Sequence, residues 1–264
     1  MSCYMISSVN NDKIKHVTRL VKSSALRREE GLFVVEGERI CKEIPIERFV
    51  EGFVSEDYLA RGGYEASDGY ILNGCEYTVV SNQVYKKISD TISGQGILGI
   101  VRQDLVNPDD YLEDMKGSVR LLLLENIQDP GNLGTMIRTA EAAGIDAIIT
   151  DRSTVDVYNP KVIRSTMGGI FRMKVMCADD FEAFLKKARS RGIRLFGAIL
   201  DGSTDYRKCD YKGSIGILIG NEGNGLSDSV REMVDVKISI PMEGKVESLN
   251  AAVAAALIMY EAIR

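Results

Sequence analysis

Histidine is almost absent from this chain: His16 is the only one in 264 residues. A multi-histidine metal site needs several imidazoles, and a serine-protease triad needs one held beside the nucleophile. We therefore expect neither kind of site and no metal. Acid–base chemistry would have to come from carboxylates, Lys, Tyr, Arg, backbone dipoles or the substrate itself.

Paired cysteines and long apolar runs are also lacking. The five cysteines lie at positions 3, 41, 75, 177 and 209; none forms a CxxC pair, and their number is odd. This pattern is typical of free thiols in a reducing cytoplasm. The longest apolar run near the end, Ala251–Tyr260, is too short to cross a bilayer, and the first residues show no signal-peptide pattern. We expect a cytoplasmic protein without a membrane partner.

The net charge of −5 argues weakly against a nucleic-acid partner, but the basic residues are clustered. Between Lys13 and Lys42 eight Lys/Arg face four Glu, a local charge of +4. Between Arg152 and Arg194 ten Lys/Arg face four Asp/Glu, a local charge of +6. These stretches could bind a phosphate backbone or could be solvated helix faces, and charge leaves both readings open.

Strand and helix patterns alternate along the chain and predict two α/β regions, residues 1–106 and 117–264. A polar link, Gln103–Lys116, separates them near Asn107-Pro108. The predicted strands are Gly31–Glu36, Glu51–Ser55, Tyr77–Ser81, Gly96–Val101, Val119–Glu125, Ala147–Thr150, Phe171–Met176, Leu195–Ile199, Ile215–Gly220 and Val236–Ile240. The predicted helices are Lys13–Lys22, Glu38–Ile44, Gln83–Ser89, Leu133–Ala143, Pro160–Gly168, Asp179–Arg191 and Glu247–Ile263. The continuous apolar strands of the second region are typical of a mostly parallel sheet covered on both faces.

The first loop that could carry chemistry is Glu125–Thr139, ENIQDPGNLGTMIRT. Pro130-Gly131 predicts a tight turn, and Asn132 is a candidate helix N-cap. Arg138 falls outside the apolar stripe of the following helix and is therefore accessible. It is either an ordinary solvated arginine or one presented to a ligand.

The second loop is Leu218–Ser227, LIGNEGNGLS, which has three glycines and one carboxylate, Glu222. Glycines after a parallel strand let backbone amides approach a ligand closely. The loop lacks the GKS/T of a P-loop and the spacing of the dinucleotide fingerprint. A nucleoside without a pyrophosphate fits better, although a plain glycine-rich turn is an alternative.

The third segment is Ile240–Arg264, in which Pro241 and a turn at Gly244 precede Ser248-Leu249-Asn250 and a helix that is apolar nearly all round. Such a helix has to be buried, either in the core or against a second subunit. Its first-turn amides are available to a ligand.

In this order, the three segments resemble the motifs of the SpoU (TrmH) family of RNA ribose 2′-O-methyltransferases, in the SPOUT superfamily. The matching residues are Asn132-Leu133-Gly134 with Arg138-Thr139-Ala140, then Gly220 to Ser227, then Ile240-Pro241-Met242 with Ser248-Leu249-Asn250. Asn159-Pro160-Lys161, Arg164-Ser165 and Met167-Gly168 resemble the sequence between the first two motifs. Asn221 stands where many members have proline, which we expect the loop to tolerate. Gly31 to Gly37 resembles, more loosely, the substrate-binding domain that many members carry.

The resemblance implies an S-adenosylmethionine-dependent methyltransferase for RNA, with a deep trefoil knot, a small RNA-binding domain before it, and a homodimer with the active site near the interface. It implies no metal. The implied catalytic residues are Arg138, Asn132, Glu222, Ser248 and Asn250. The implied cofactor-binding residues are Ala198, Leu200, Leu218, Gly220, Glu222, Ile240, Ser248 and Leu249.

The substrate that the resemblance favours is 23S ribosomal RNA, and transfer RNA is the alternative. Two further readings remain at this point. One is a non-catalytic RNA-binding or ribosome-assembly factor with a methyltransferase-like fold, and the other is a small-molecule enzyme that uses GNEGNG for a nucleotide.

Overall fold

The computed structural model describes residues 5–62, 77–200 and 203–264. The helices are α1 Asp12–Lys22, α2 Ser24–Glu30, α3 Glu38–Cys41, α4 Glu56–Ala60, α5 Asn82–Ile88, α6 Pro108–Asp114, α7 Pro130–Ala142, α8 Pro160–Thr166, α9 Phe181–Ser190, α10 Asp228–Met233 and α11 Ala251–Ala262. The strands are β1 Met5–Ile6, β2 Leu32–Glu36, β3 Phe49–Ser55, β4 Tyr77–Val80, β5 Ile97–Arg102, β6 Arg120–Leu124, β7 Ala147–Thr150, β8 Lys174–Cys177, β9 Arg194–Ala198, β10 Thr204–Asp205, β11 Ile215–Ile219 and β12 Val236–Ser239.

Contacts divide the described residues into two units. The first contains the residues up to Gln103 together with Tyr158–Phe171, and the second contains Asp104–Val157 and Arg172–Arg264. This division differs from the predicted one because the segment around α8 packs with the first unit. The functional domain limits of 1–106 and 117–264 stay a prediction.

The first unit is built on a mixed five-stranded sheet in the order β1-β4-β3-β5-β2. Strand β5 runs antiparallel to both of its neighbours, β2 and β3. Helix α1 places Ile14, Val17 and Leu20 in the core. This is the 3–4 residue spacing of an amphipathic helix, so its charged residues are left on the outer face.

The second unit contains a seven-stranded sheet in the order β10-β12-β9-β11-β6-β7-β8, and all its strand pairs are parallel. Every residue of β7 and β11 is buried, as are the last four of β6. The prediction of a mostly parallel α/β sheet is confirmed. Parallel strands end at one edge of the sheet, so the loops after β6 and β11 lie side by side.

The predicted link and the predicted start of the last helix were wrong. The predicted link Gln103–Lys116 contains α6, which Asn107 caps by accepting a hydrogen bond from the Asp109 amide at 2.8 Å and which buries Leu112 completely. The last helix begins at Ala251 rather than at Glu247. The Asn250 side chain accepts hydrogen bonds from the amides of Ala252 and Val253, which makes Asn250 the cap.

Candidate active site

Helix α7 begins one residue after Asp129, whose carboxylate accepts a 2.8 Å hydrogen bond from the backbone N–H of Asn132. Pro130 occupies the first helical position, where no N–H is needed. The prediction that Asn132 caps this helix was therefore wrong. Because Asp129 is the cap, the Asn132 amide group is available for a tertiary contact.

A chain of hydrogen bonds joins the three motif segments. Asn250 Nδ2 donates to Asn132 Oδ1 at 2.8 Å, and Asn132 Nδ2 donates to Glu222 Oε1 at 3.0 Å. The Glu222 carboxylate also accepts from the backbone amides of Gln128 at 3.2 Å and Asp129 at 3.1 Å. Three of the predicted catalytic residues, Asn132, Glu222 and Asn250, are thus brought together by direct contact.

The ionisation of Glu222 follows from these contacts. Partial burial opposes the charged form, but the hydrogen bond from Asn132 and those from backbone amides, including Asp129 and Gln128, outweigh it and hold the Glu222 pKa below its ordinary value. The ionised Glu222 stabilises the folded state at pH values above its unfolded-state pKa. This stabilisation is lost as pH falls through its lower folded-state pKa. Glu222 therefore stays ionised at neutral pH and positions its neighbours as an acceptor.

Asn132→Asp is expected to destabilise the second unit at neutral pH. It removes the donor to Glu222 and places a second carboxylate at the same contact. The expected loss is about 1 kcal/mol, since the pair is exposed. As pH falls toward 5, one proton shared between the carboxylates should restore the stability, because each raises the pKa of the other.

The measurement is Tm against pH for this variant and for the wild type. Asn107→Asp is the matched control, since aspartate caps a helix as well as asparagine does. A deficit in Tm that does not change with pH would contradict the proposed charge repulsion.

The glycine-rich loop after β11 is folded back on itself. Asn221 and Gly225 exchange two backbone hydrogen bonds, of 2.9 Å and 2.8 Å. The Asn221 side chain accepts from the amides of Gly223 and Asn224 at 3.0 Å each and donates to the Asn126 carbonyl at 2.9 Å. These hydrogen bonds hold Asn221 rigidly in the loop.

Gly220 lies where the two ends of this loop come closest. A Cβ atom at Gly220 would be 2.2 Å from the carbonyl carbon of Gly225 and 2.3 Å from the amide nitrogen of Leu226. Both neighbours are backbone atoms and cannot rotate away. The closed form of the loop therefore requires glycine at this position.

A cleft with a cavity volume of about 300 Å³ opens beside this loop. It is lined by Ala198, Ile199, Leu200, Ile219, Gly220, Asn221, Glu222, Gly223, Asn224, Gly225, Leu226, Arg231, Ile238, Ser239, Ile240, Met242, Ser248, Leu249, Ala251, Ala254 and Ile258. Seven of the eight predicted cofactor residues are in this set. Leu218 is the exception, because its side chain is fully buried in the core of the sheet.

The two remaining predicted catalytic residues, Ser248 and Arg138, lie in different places. Ser248 is exposed at the cleft, two residues before the cap of α11. Arg138 is exposed on α7, as its place outside the apolar stripe predicted, and its side chain makes no hydrogen bond or ion pair with any described residue. It does not line the cleft. The sequence reading missed Arg231, which lines the cleft from α10, because a single arginine on a short helix carries no motif.

Within residues 5–62, 77–200 and 203–264, no helix is both long and apolar enough to cross a bilayer. Over the same ranges, no group of three or more His, Cys, Asp or Glu side chains is arranged to hold a metal ion.

Comparison with known proteins identifies the family of this chain. Residues 120–260 match the SpoU rRNA Methylase family, and residues 11–99 match the MRM3-like substrate binding domain. The chain is 30% identical over 255 residues to the 23S rRNA (guanosine(2553)-2′-O)-methyltransferase RlmP of Bacillus subtilis, covering 97% of each.

Two solved structures are similar over nearly the whole chain. The AdoMet-bound rRNA methyltransferase from Sinorhizobium meliloti has a TM-score of 0.82 at 27% identity, covering 98% of this chain and 97% of that one. The SpoU methyltransferase AviRb from Streptomyces viridochromogenes, in complex with AdoMet, has a TM-score of 0.79 at 26% identity, covering 96% and 98%. These matches confirm the resemblance. The chain belongs to the SpoU rRNA methylase family and is an RNA methyltransferase that uses S-adenosylmethionine.

Proposed function

We propose that this protein methylates a ribose 2′-hydroxyl of 23S ribosomal RNA in the cytoplasm. The observation that carries the proposal is the Asn250–Asn132–Glu222 chain, which fixes polar side chains at the mouth of an apolar cleft. The name of the Bacillus subtilis relative specifies the same reaction on the same RNA. Apolar walls and a backbone loop that closes at Gly220 fit a nucleoside cofactor better than a charged ligand such as a nucleotide triphosphate.

The chain's own residues have to supply geometry and a proton sink. When bound, S-adenosylmethionine supplies an already activated methyl group, so no metal is needed. The hydrogen bonds among Asn132, Glu222 and Asn250 hold the first turns of α7 and α11 next to the glycine-rich loop. The exposed Ser248 hydroxyl positions the ribose. The Arg138 guanidinium has only N–H donors and no acceptor. It binds the RNA phosphate and sugar while that phosphate or a water molecule accepts the 2′-hydroxyl proton.

The first unit is proposed to bind the RNA. The exposed face of α1 carries Lys15, Arg19 and Lys22 at helical spacing, and residues 11–99 match a substrate-binding domain. Such a basic face binds phosphates with an affinity that falls as salt rises. Binding of RNA phosphates thus gives a function to the positive charge clustered between Lys13 and Lys42.

Mapping of ribose methylation tests the substrate. Total RNA from a strain lacking the gene is incubated with the protein and S-adenosylmethionine, and new 2′-O-methyl positions are mapped by sequencing. We expect one new position, in 23S RNA. A position in transfer RNA, or base methylation without ribose methylation, would overturn the proposal.

The protein is also proposed to be a homodimer. One stripe of the apolar α11 remains exposed: Val253 is 48% exposed, Leu257 39% and Tyr260 52%. The other side of α11 packs on α7 and β11. A second copy covering the stripe would lie close to α7, the helix that presents Arg138. A trefoil knot in the second unit is also proposed, on the family match of residues 120–260.

Leu257→Glu is expected to give a monomer, because a charge buried in an apolar interface has no partner. Light scattering after size exclusion measures the mass of this variant and of Ala183→Glu, which adds the same charge to an exposed position on α9. We expect the control to remain dimeric. A Leu257→Glu dimer of unchanged stability would place the interface elsewhere.

A further inference from the structure

The cleft contains very few charged groups. Among its described lining residues, Glu222 is the one carboxylate and Arg231 the one cation. The Glu222 carboxylate is already occupied by Asn132 Nδ2 and by two backbone amides. The Arg231 side chain makes no hydrogen bond or ion pair within the part of the chain that the structure describes, and the residue is half-buried. The cleft thus presents one positive charge without a partner among the described residues, on a wall whose other residues apart from Glu222 are uncharged.

Neighbouring contacts fix the position of Arg231. Ser227 caps α10, accepts from the Val230 amide and is itself held by Glu125, to which its amide donates at 2.9 Å. Val230 is 1% exposed and packs in the core of the second unit. Because Val230 points into the core, the next residue, Arg231, projects to a different side of the helix and lines the cleft. A short helix that is anchored at its cap and its core residue holds the Arg231 backbone beside the cleft.

We propose that Arg231 binds the α-carboxylate of the methionine moiety of S-adenosylmethionine. That carboxylate is the only anionic group of the cofactor, and the remaining lining residues suit the uncharged adenosine. A guanidinium presents two parallel N–H donors that match the two oxygens of a carboxylate. Partial burial reduces the screening of this contact by water.

A matched pair of ligands tests the contact without relying on turnover. S-adenosylmethionine and decarboxylated S-adenosylmethionine both carry the sulfonium and the amino group and differ in the carboxylate. Their dissociation constants are measured by calorimetry on the full-length protein, without RNA, for the wild type, Arg231→Gln, Arg231→Lys and Lys237→Gln. Lys237 is exposed on β12 and does not line the cleft, so its variant removes the same charge without the proposed contact.

We expect the wild type to prefer the carboxylated ligand and Arg231→Gln to lose about tenfold of that preference. Binding of the decarboxylated ligand should be unchanged. Arg231→Lys should retain part of the preference, and Lys237→Gln all of it. If Arg231→Gln weakened the binding of both ligands equally, Arg231 would contact the adenosine or stabilise the fold. If it weakened the binding of neither, Arg231 would have no part in cofactor binding. Either result overturns the proposal. Absence of S-adenosylmethionine binding in the wild type would instead contradict the assignment of the cofactor site.

Discussion

Arg138→Ala is expected to lower kcat by about 10²–10³-fold, the usual cost of removing a charged group that acts in the transition state. The affinity for S-adenosylmethionine should stay within about twofold, because Arg138 does not line the cleft. The folded state should also be unaffected, since the side chain is exposed and makes no hydrogen bond or ion pair with the described residues. Single-turnover methylation of RNA gives the rate, and calorimetry without RNA gives the affinity.

Arg138→Lys separates two ways in which this residue could act. If its guanidinium holds phosphate and sugar through a bidentate fork, lysine should fail nearly as badly as alanine. Arg120→Ala is the control, because Arg120 begins β6 at the opposite end of the sheet from the Asn132–Glu222 contact. Equal losses of rate and cofactor affinity in Arg138→Ala would contradict a catalytic role, and near-normal turnover of Arg138→Lys would indicate a simple point charge.

Gly220→Ala is expected to abolish measurable binding of S-adenosylmethionine. The added methyl group would be 2.2 Å from the Gly225 carbonyl carbon, so the closed loop could not form. Overpacking of this kind costs about 1–3 kcal/mol, and backbone has to move to relieve it. Calorimetry measures the affinity, and thermal unfolding reports whether the rest of the unit stays folded.

Gly244→Ala is the matched control for Gly220→Ala. A Cβ atom at Gly244 would meet no atom within 4 Å, and this residue does not line the cleft. We expect its affinity for the cofactor to stay within about twofold of the wild type. If Gly220→Ala binds as tightly as this control, the loop has another arrangement in solution.

Local patterns in the sequence were enough to predict most elements of the second unit. Strand β7 has the predicted bounds, β11 ends one residue earlier than predicted, and β6 is one residue shorter than predicted at each end. These strands are covered on both faces, so each appears as an uninterrupted apolar run between polar turns. The three motif segments were recognisable for a similar reason. A helix start or a glycine turn requires particular residue types at short spacing.

Errors arose where two local solutions competed. Asn132 and Asp129 can each cap a helix, and the chain uses Asp129 because Pro130 then takes the first helical position. The last helix starts later than predicted because Asn250 is its cap: the Asn250 side chain accepts hydrogen bonds from the first free backbone amides of the helix. Leu218, which the resemblance assigns to the cofactor site, has its side chain in the core, so its place in that site stays a prediction that concerns its backbone. Each choice depends on where a side chain points after folding.

The sequence by itself determined the family, the parallel sheet and the segments that form the site. It did so because these depend on residue types at short spacing. Only the tertiary structure decided that Asn132 meets Asn250 across 118 positions and Glu222 across 90, and that Arg231 enters the cleft. Such contacts depend on the order of strands in the sheet and on the path of the chain between them, which no local pattern encodes.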